Sequence, residues 1–351
     1  MGAKYCVIGL MSGTSMDGLD LAYCEFDFDN GKWTFRIMQA ETVRYNSNWL
    51  RKLNTARSLS EIELGKLDVA YGVYLGVCVN SFIKKNKITT IDFVASHGHT
   101  IHHKPDKGIT VQIGNGKTLG NAIQKTVVCD FRSQDVRLGG QGAPLVPIGD
   151  RLLFWQWDAC LNLGGFANIS FEIKGKRKAF DICPANIVLN HLTRKLGLEF
   201  DDEGKLAQTG KVLEGLLGKL ESLPYYQAEM PKSLGIEWVE ENVFIELLES
   251  DSVIDQLNSI VAHITNQISV VVESYNLKSV LVTGGGAFNT FLIEELKAKV
   301  SAEIIVPDIK TIDFKEALVF AFLAVLKVRN EVNVLKSVTG ASKDHSSGMI
   351  Y

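Results

Sequence analysis

The chain has 351 residues, 46% hydrophobic and 22% charged, a balance that suits one large or two ordinary folded domains and excludes a disordered chain. With 37 Lys and Arg against 40 Asp and Glu the formal net charge is −3, so there is no electrostatic signature of a nucleic-acid or membrane partner. Six cysteines, at 6, 24, 78, 129, 160 and 183, form no CxxC pair. Most sit in apolar runs and no charged leader precedes the first strand pattern, so the expected location is the cytoplasm.

Residues 4–10 (KYCVIGL) predict a strand, residues 12–17 a polar glycine-bearing turn, and residues 19–28, with period-two alternation, a second strand. Asp29, Asn30 and Gly31 signal a hairpin into a third strand at 33–39. Helical patterns then alternate with buried strands at 92–95 and 126–130. Each is followed by a polar loop: residues 96–103, with four of the seven histidines, and the glycine-rich residues 130–144. The same grammar returns with a strand at 159–163, a tight turn at Gly164 and Gly165, a strand at 168–173, a turn at 174–176 and a strand at 178–181. Helices and buried strands at 279–283 and 303–306 follow. The apolar run 317–328 reads as a buried helix, too short to span a bilayer, and residues 343–351 as a mobile tail or surface loop.

A three-strand meander followed by αβαβ, given twice, resembles the layout of the actin/hexokinase/Hsp70 superfold, in which two ribonuclease-H-like domains close over a nucleotide in an interdomain cleft. The alternative is a Rossmann-type sheet, whose first glycine loop leads into a helix. The strand-like alternation of residues 19–28 disfavours it. The expectation is therefore an α/β chain with a first domain at 1–135 and a second at 136–312. The C-terminal segment 313–351 packs back on one of them, with the first as the candidate.

The run Gly9 to Asp20 (GLMSGTSMDGLD) is the densest chemical signal. Its glycines bring bare N–H groups close to phosphate oxygens, and Thr14 and Ser15 add hydroxyl donors. Gly13, Thr14, Ser15, Met16, Asp17, Gly18, Leu19 and Asp20 are the candidate ATP-phosphate segment. Asp17 and Asp20, as carboxylates, act there through Mg2+ and its waters. A plain hairpin explains Asp17 and Gly18 but not the whole run. Gly164 and Gly165 occupy the matching turn of the second meander. Gly284, Gly285 and Gly286, between a strand and a helix, suit either a flat adenine or ribose or simple packing.

Phosphoryl transfer needs a held acceptor, charge neutralisation and often a carboxylate base. Asp181, at the end of its strand, is either that base or a helix N-cap. His97 and Thr100 lie in the histidine-rich loop, which lacks zinc-ligand spacing and suits contact with a sugar. Arg132 either grips a carboxylate, such as a lactyl group, or pairs with an aspartate in an interdomain turn. Glu316 stands where helix-dipole reasoning alone places an acid, in a first turn.

Taken together, GLMSGTSMDGLD (9–20), SHGHTIHHKP (96–105), QIGN (112–115), DFRSQDVRLGGQGAPLVP (130–147), NLGGFANIS (162–170), LEFDDEGKLAQTG (198–210), PKSLG (231–235), TGGGAFN (283–289), EALVFAFLA (316–324) and SVTGA (337–341) resemble the anhydro-N-acetylmuramic acid kinase family over nearly the whole chain. The resemblance implies a bacterial cytoplasmic enzyme of cell-wall recycling. It would use ATP and water to open a 1,6-anhydro sugar and phosphorylate O6. It also implies that Asp181 is the catalytic base, that residues 13–20 hold the ATP phosphates, and that His97, Thr100, Arg132 and Glu316 belong to the sugar pocket. Two departures stand out. The family usually reads Asp-x-Gly-Pro-Gly-Asn where this chain has Asp181-Ile182-Cys183-Pro184-Ala185-Asn186, and His99 replaces a common glutamine. The competing readings are a kinase for levoglucosan or an intact hexose, and a non-catalytic nucleotide switch. The expected partners are a small sugar and ATP, without nucleic acid or membrane, and by family analogy alone a homodimer.

Overall fold

Strand-forming residues dominate the first forty positions and build a meander. In this computed structural model, which describes every residue except Met1 and Thr14, β1 (Ala3–Ser12), β2 (Leu19–Asp29) and β3 (Lys32–Val43) pair antiparallel in sequence order. Asn30 and Gly31 take φ of 49° and 78°, the left-handed pair that a two-residue hairpin requires. β4 (Phe93–Lys104) runs parallel to β1, β5 (Ile109–Ile113) folds back on β4, and β6 (Val127–Cys129) lies parallel on its other side.

The second meander consists of β7 (Ala159–Leu163), β8 (Phe166–Ile173) and β9 (Lys176–Pro184), turned between the last two by Lys174 and Gly175 at φ 48° and 74°. β10 (Ser279–Thr283) and β11 (Glu303–Ile305) extend this sheet parallel to β7. β12 (Met349–Ile350) returns to the first sheet beside β6. The orders β12-β6-β4-β1-β2-β3 and β11-β10-β7-β8-β9 both place a three-strand meander beside two parallel strands. That is the ribonuclease-H arrangement, so the α/β expectation of a duplicated fold holds.

The chain divides into two units, residues 1–153 with 314–351, and residues 154–313. This moves the boundary beyond the expected 135/136. Residues 135–142 belong to the first unit because buried Asp135 accepts hydrogen bonds from Gly142 N and Thr339 Oγ1, both at 2.7 Å. In the first unit the helix Glu61–Asn86 opens on a Ser60/Glu63 capping box and buries Leu67, Tyr71, Leu75, Val79 and Phe82. The helix Ile309–Val328 lays a continuous buried run, Ala317 to Leu326, on the same unit. A Cβ on Gly9 of β1 would collide with the Ala317 carbonyl, so this glycine admits the helix that carries Glu316. In the second unit Leu161, Ile169, Phe171 and Ile182 pack with Leu257, Ile264 and Ile268 of the helix Val253–Ser274.

Three expectations change. Residues 96–103 are no loop: β4 continues to Lys104, because β1, β5 and β6 satisfy its backbone and bury its first seven residues. Residues 343–351 are no tail. His345 and Ser347 are buried, Ser347 Oγ donates to the Phe131 carbonyl at 2.7 Å, and Tyr351 exchanges backbone hydrogen bonds with Val127. Asp181 lies inside β9 rather than at its end. Among the described residues no helix is long and apolar enough to cross a membrane.

Candidate active site

In the first unit the glycine turn joins β1 to β2. Met16 stands at φ 58°, its N–H on the Gly13 carbonyl at 3.3 Å, and Ser15 Oγ donates to Asp17 Oδ1 at 3.0 Å. Asp17 is exposed. Thr14 lies outside the described residues. Gly18 is a packing glycine, since a Cβ there would lie 2.5 Å from Thr42 Cγ2 and 2.9 Å from the Val43 carbonyl. Leu19 is a core side chain, 1% exposed, and offers only its backbone to a ligand. Asp20 accepts a hydrogen bond from Thr42 Oγ1, so the open carboxylate of the pair is Asp17. Among the described residues no three His, Cys, Asp or Glu side chains converge to hold a metal directly. Beneath the turn, buried Ser12 Oγ meets Tyr45 OH at 2.7 Å and His99 Nδ1 at 2.8 Å. Burial, with the Arg57 charge second, pushes His99 down to about 4, so this imidazole is neutral.

Arg132 follows β6 and is fixed at two of its nitrogens. Its Nε donates to His97 Nε2 at 2.9 Å and its Nη1 to the Gly142 carbonyl at 2.6 Å. His97 Nδ1 lies 3.0 Å from the Gly98 carbonyl, so both ring nitrogens are occupied within the unit. Direct sugar contact through them, the role its motif implied, is closed. Among the described residues Arg132 makes no direct ion pair with an aspartate; Asp135, whose charge still acts on it, binds Gly142 N–H instead.

Glu316 is two turns into its helix, which begins at Ile309, so the first-turn dipole explanation fails. Its side chain reaches solvent. The protein packed around it nonetheless pushes the carboxyl pKa up, against the pull of Arg132 and then Lys315, and Asp17 adds to the rise. Burial brings Arg132 down to about 10, with Glu316 and Asp135 pulling the other way. The fold has thus brought Glu316 within reach of the Arg132 and Asp17 charges. Lys315, beside Glu316, is tied to buried Asp150 at 2.8 Å.

Thr100 and Arg132 line a cavity of about 590 Å³ together with Arg57, His102, His103 and Lys104, and among the described residues no acidic side chain lines it. Arg57 and Lys104 gave no sequence signal, because single basic residues on a helix end and a strand end look like ordinary surface charge.

In the second unit Asp181 is half-buried. Leu234 N donates to its Oδ2 at 2.9 Å, Tyr225 OH to its carbonyl at 2.6 Å, and its own N–H reaches the Lys232 carbonyl at 3.2 Å. Burial raises its pKa, and the Leu234 N–H opposes the rise. The N-cap alternative falls. The N–H groups of Ala185, Asn186 and Ile187, at the start of the helix Asn186–Arg194, go to the Gly164 and Gly165 carbonyls, at 2.8, 3.2 and 3.1 Å. Ala185 takes φ −130° and ψ −107°, outside the left-handed region. Gly164 spends its N–H on the Phe166 carbonyl at 3.2 Å, leaving less phosphate-binding backbone than expected.

The triple glycine separates residue by residue. Gly284 has φ 82°, and a Cβ on it would lie 2.7 Å from Asn162 Oδ1; one on Gly286 would lie 2.6 Å from Leu163 Cβ. Both are demanded by packing on the end of β7. A Cβ on Gly285 would meet only Asn186 Nδ2 at 3.8 Å, and this residue is exposed. Gly285 is the glycine left free for a ligand. Asn186, which donates to the Leu163 carbonyl at 3.0 Å, joins the two turns and was not singled out as a site residue from sequence.

The family described as Anhydro-N-acetylmuramic acid kinase matches residues 5–351. A curated relative of that name from Francisella tularensis subsp. novicida is 31% identical, covering 99% of this chain and 98% of its own. Another from Coxiella burnetii is 33% identical over 98% of this chain and 96% of its own. Among solved structures, component A of (R)-2-hydroxyglutaryl-CoA dehydratase from Acidaminococcus fermentans aligns with 90% of this chain and 96% of its own at 12% identity, with a TM-score of 0.47.

Proposed function

This chain belongs to the anhydro-N-acetylmuramic acid kinase family, and we propose that it phosphorylates 1,6-anhydro-N-acetylmuramic acid at O6 with ATP while water opens the anhydro bridge. Water adds to the anomeric carbon, the C1–O6 bond breaks, O6 takes the γ-phosphoryl group and ADP leaves with the product, N-acetylmuramic acid 6-phosphate.

The observation that carries the reading is the state of Asp181. One carboxylate oxygen is held by Leu234 N–H, which aims the other as a base for the attacking water. Partial burial lifts its pKa above the ordinary value, towards the operating pH that suits a general base. The acid-free cavity with Arg57, Lys104 and Arg132 favours a sugar bearing a carboxylate, as a lactyl ether does, over neutral levoglucosan or glucose.

We assign the ATP phosphates to the Gly13–Asp20 turn and the nucleoside to the exposed backbone of Gly285. Mg2+, when bound, would neutralise the phosphate charge. The open carboxylate of Asp17 suits it as an oxygen donor through water, and the mutual repulsion of Asp17 and Glu316 is what a cation would relieve. Arg132 and Glu316 then orient the sugar. A substrate derived from peptidoglycan places the reaction in cell-wall recycling. Six buried free thiols suit the cytoplasm. ADP release with Mg-ATP and the anhydro-muramic sugar, beside levoglucosan, glucose and N-acetylglucosamine, tests the reading; turnover of the neutral sugars alone would sink it.

We also propose that two copies associate through the helix Glu61–Asn86. Its outer face exposes Ile62, Val69, Val73 and Val77 at 75, 46, 48 and 63%. An antiparallel pairing centred on Val73 would set the acidic first turn of each copy, with Glu61 and Glu63, against the basic last turn of the other, with Lys84 and Lys85.

A further inference from the structure

We infer that His97 is a positioning residue for Arg132, turning its guanidinium so that only the Nη edge is offered to an anionic sugar. The consequence for catalysis rests on the kinase reading above, whereas the geometry does not.

His97 is buried in β4, 4% exposed, with its ring centroid 4.5 Å from that of Phe320. The Gly98 carbonyl beside Nδ1 can only accept, so Nδ1 carries the proton. Nε2 is then a lone pair, and it accepts the Arg132 Nε–H at 2.9 Å. One tautomer alone satisfies both contacts. Protonation would remove the acceptor and set a second positive charge against Arg132. Besides Arg132, the charges of His99 and His103 also disfavour protonation of His97, and the carboxylates that line the same cavity as His97 are Asp68 and Asp130.

With Nε occupied and Nη1 on the Gly142 carbonyl, the guanidinium is pinned at two corners. A carboxylate cannot take the side-on grip through Nε and Nη2 and must approach the Nη1/Nη2 edge. Phe320 lies one turn beyond Glu316 on the same helix. The imidazole is therefore held between Arg132 and the helix that carries Glu316.

The test compares full-length His97→Gln, His97→Asn and His97→Phe. Gln places an amide oxygen near the position of Nε2 and restores the acceptor. Asn reaches only the Nδ1 position, and Phe keeps the ring on Phe320 without any acceptor. Loss of a hydrogen bond to a charged group corresponds to roughly 10- to 100-fold in affinity. His97→Phe and His97→Asn are expected to raise the KM for the anhydro-muramic sugar by that factor with KM for ATP unchanged, and His97→Gln to restore it. In the 15N spectrum of histidine-labelled wild type, His97 should show the Nδ1–H tautomer and no titration down to pH 5. A Gln variant as impaired as Phe, a loss confined to kcat, or an Nε2–H tautomer would overturn the assignment. If Phe does not fold, Gln and the nitrogen spectrum decide. If wild type turns over no sugar, the kinase reading fails while the spectrum still judges the positioning.

Discussion

The backbone N–H of Leu234 holds Oδ2 of Asp181 at 2.9 Å across 53 residues of sequence, so the carboxylate proposed as base is aimed by a loop from elsewhere in its unit. Asp181→Asn keeps that acceptor and removes the base. Turnover should fall by about 10²- to 10⁴-fold. The stability effect has the opposite sign. A folded pKa raised above 3.8 means that the native state holds the proton more tightly, so stability is lost as pH rises through the folded value. Asn does not titrate, and its melting temperature at pH 7 should equal or exceed that of wild type. A clear drop in calorimetry would contradict the burial account.

The three glycines at 284–286 should respond differently to alanine. Gly285→Ala has room and should melt like wild type while raising the KM for ATP. Gly284→Ala meets positive φ and Gly286→Ala meets Leu163, so each should lose about 1–3 kcal/mol in denaturant unfolding. Equal stability of all three would undo the distinction.

Arg57→Ala with Lys104→Ala should weaken the anhydro-muramic sugar by roughly tenfold in KM, taking each contact at a fraction of a charged hydrogen bond. Any residual turnover of levoglucosan should be unaffected, because that sugar brings no carboxylate. Parallel losses on both sugars would mean that the cavity shapes the pocket without reading charge.

Acid should destabilise the fold through its buried histidines. Burial pushes His99 and His263 to about 4 from a reference of 6.5. Below pH 6.5 the unfolded chain therefore binds protons that the native state refuses, and stability falls as pH drops from 6.5 towards 4. His263 has Nε2 on Tyr226 OH at 2.7 Å and no partner on Nδ1. It alone accounts for roughly 3 kcal/mol over that window. His99→Gln should flatten the slope in chemical denaturation, and an unchanged slope would remove His99 from the account.

Val73→Glu on the exposed face of its helix should leave melting unchanged and shift sedimentation towards monomer. A wild type that sediments as monomer at micromolar concentration would dispose of the pairing at once.

Much of the fold was legible because it is local. Asn30 with Gly31 and Lys174 with Gly175 specify turns within two residues, and alternation specifies the strands beside them. The failures share one cause. Residues 96–103 looked like a loop because Ser, His and Gly, which make up most of the run, have no strong strand preference of their own. Pairing on both sides made them a strand. Residues 343–351 looked like a tail because their burial depends on Phe131 and Val127, far away in sequence.

By itself the sequence marked the family, through the order of its motifs, and offered Asp181, Arg132, Glu316 and the glycine turns as candidates for the chemistry. The tertiary structure decided what each can do. It gave His97 a hydrogen bond to Arg132, and at Gly284 and Gly286 it showed the packing that the sequence had left as one of two readings. Asp20 was partly withdrawn by Thr42, and Arg57 and Lys104 were added to a cavity. The reason is physical. A side chain's type sets the hydrogen bonds and charges that it can offer, while burial and neighbours brought from distant sequence set which of these remain for a ligand.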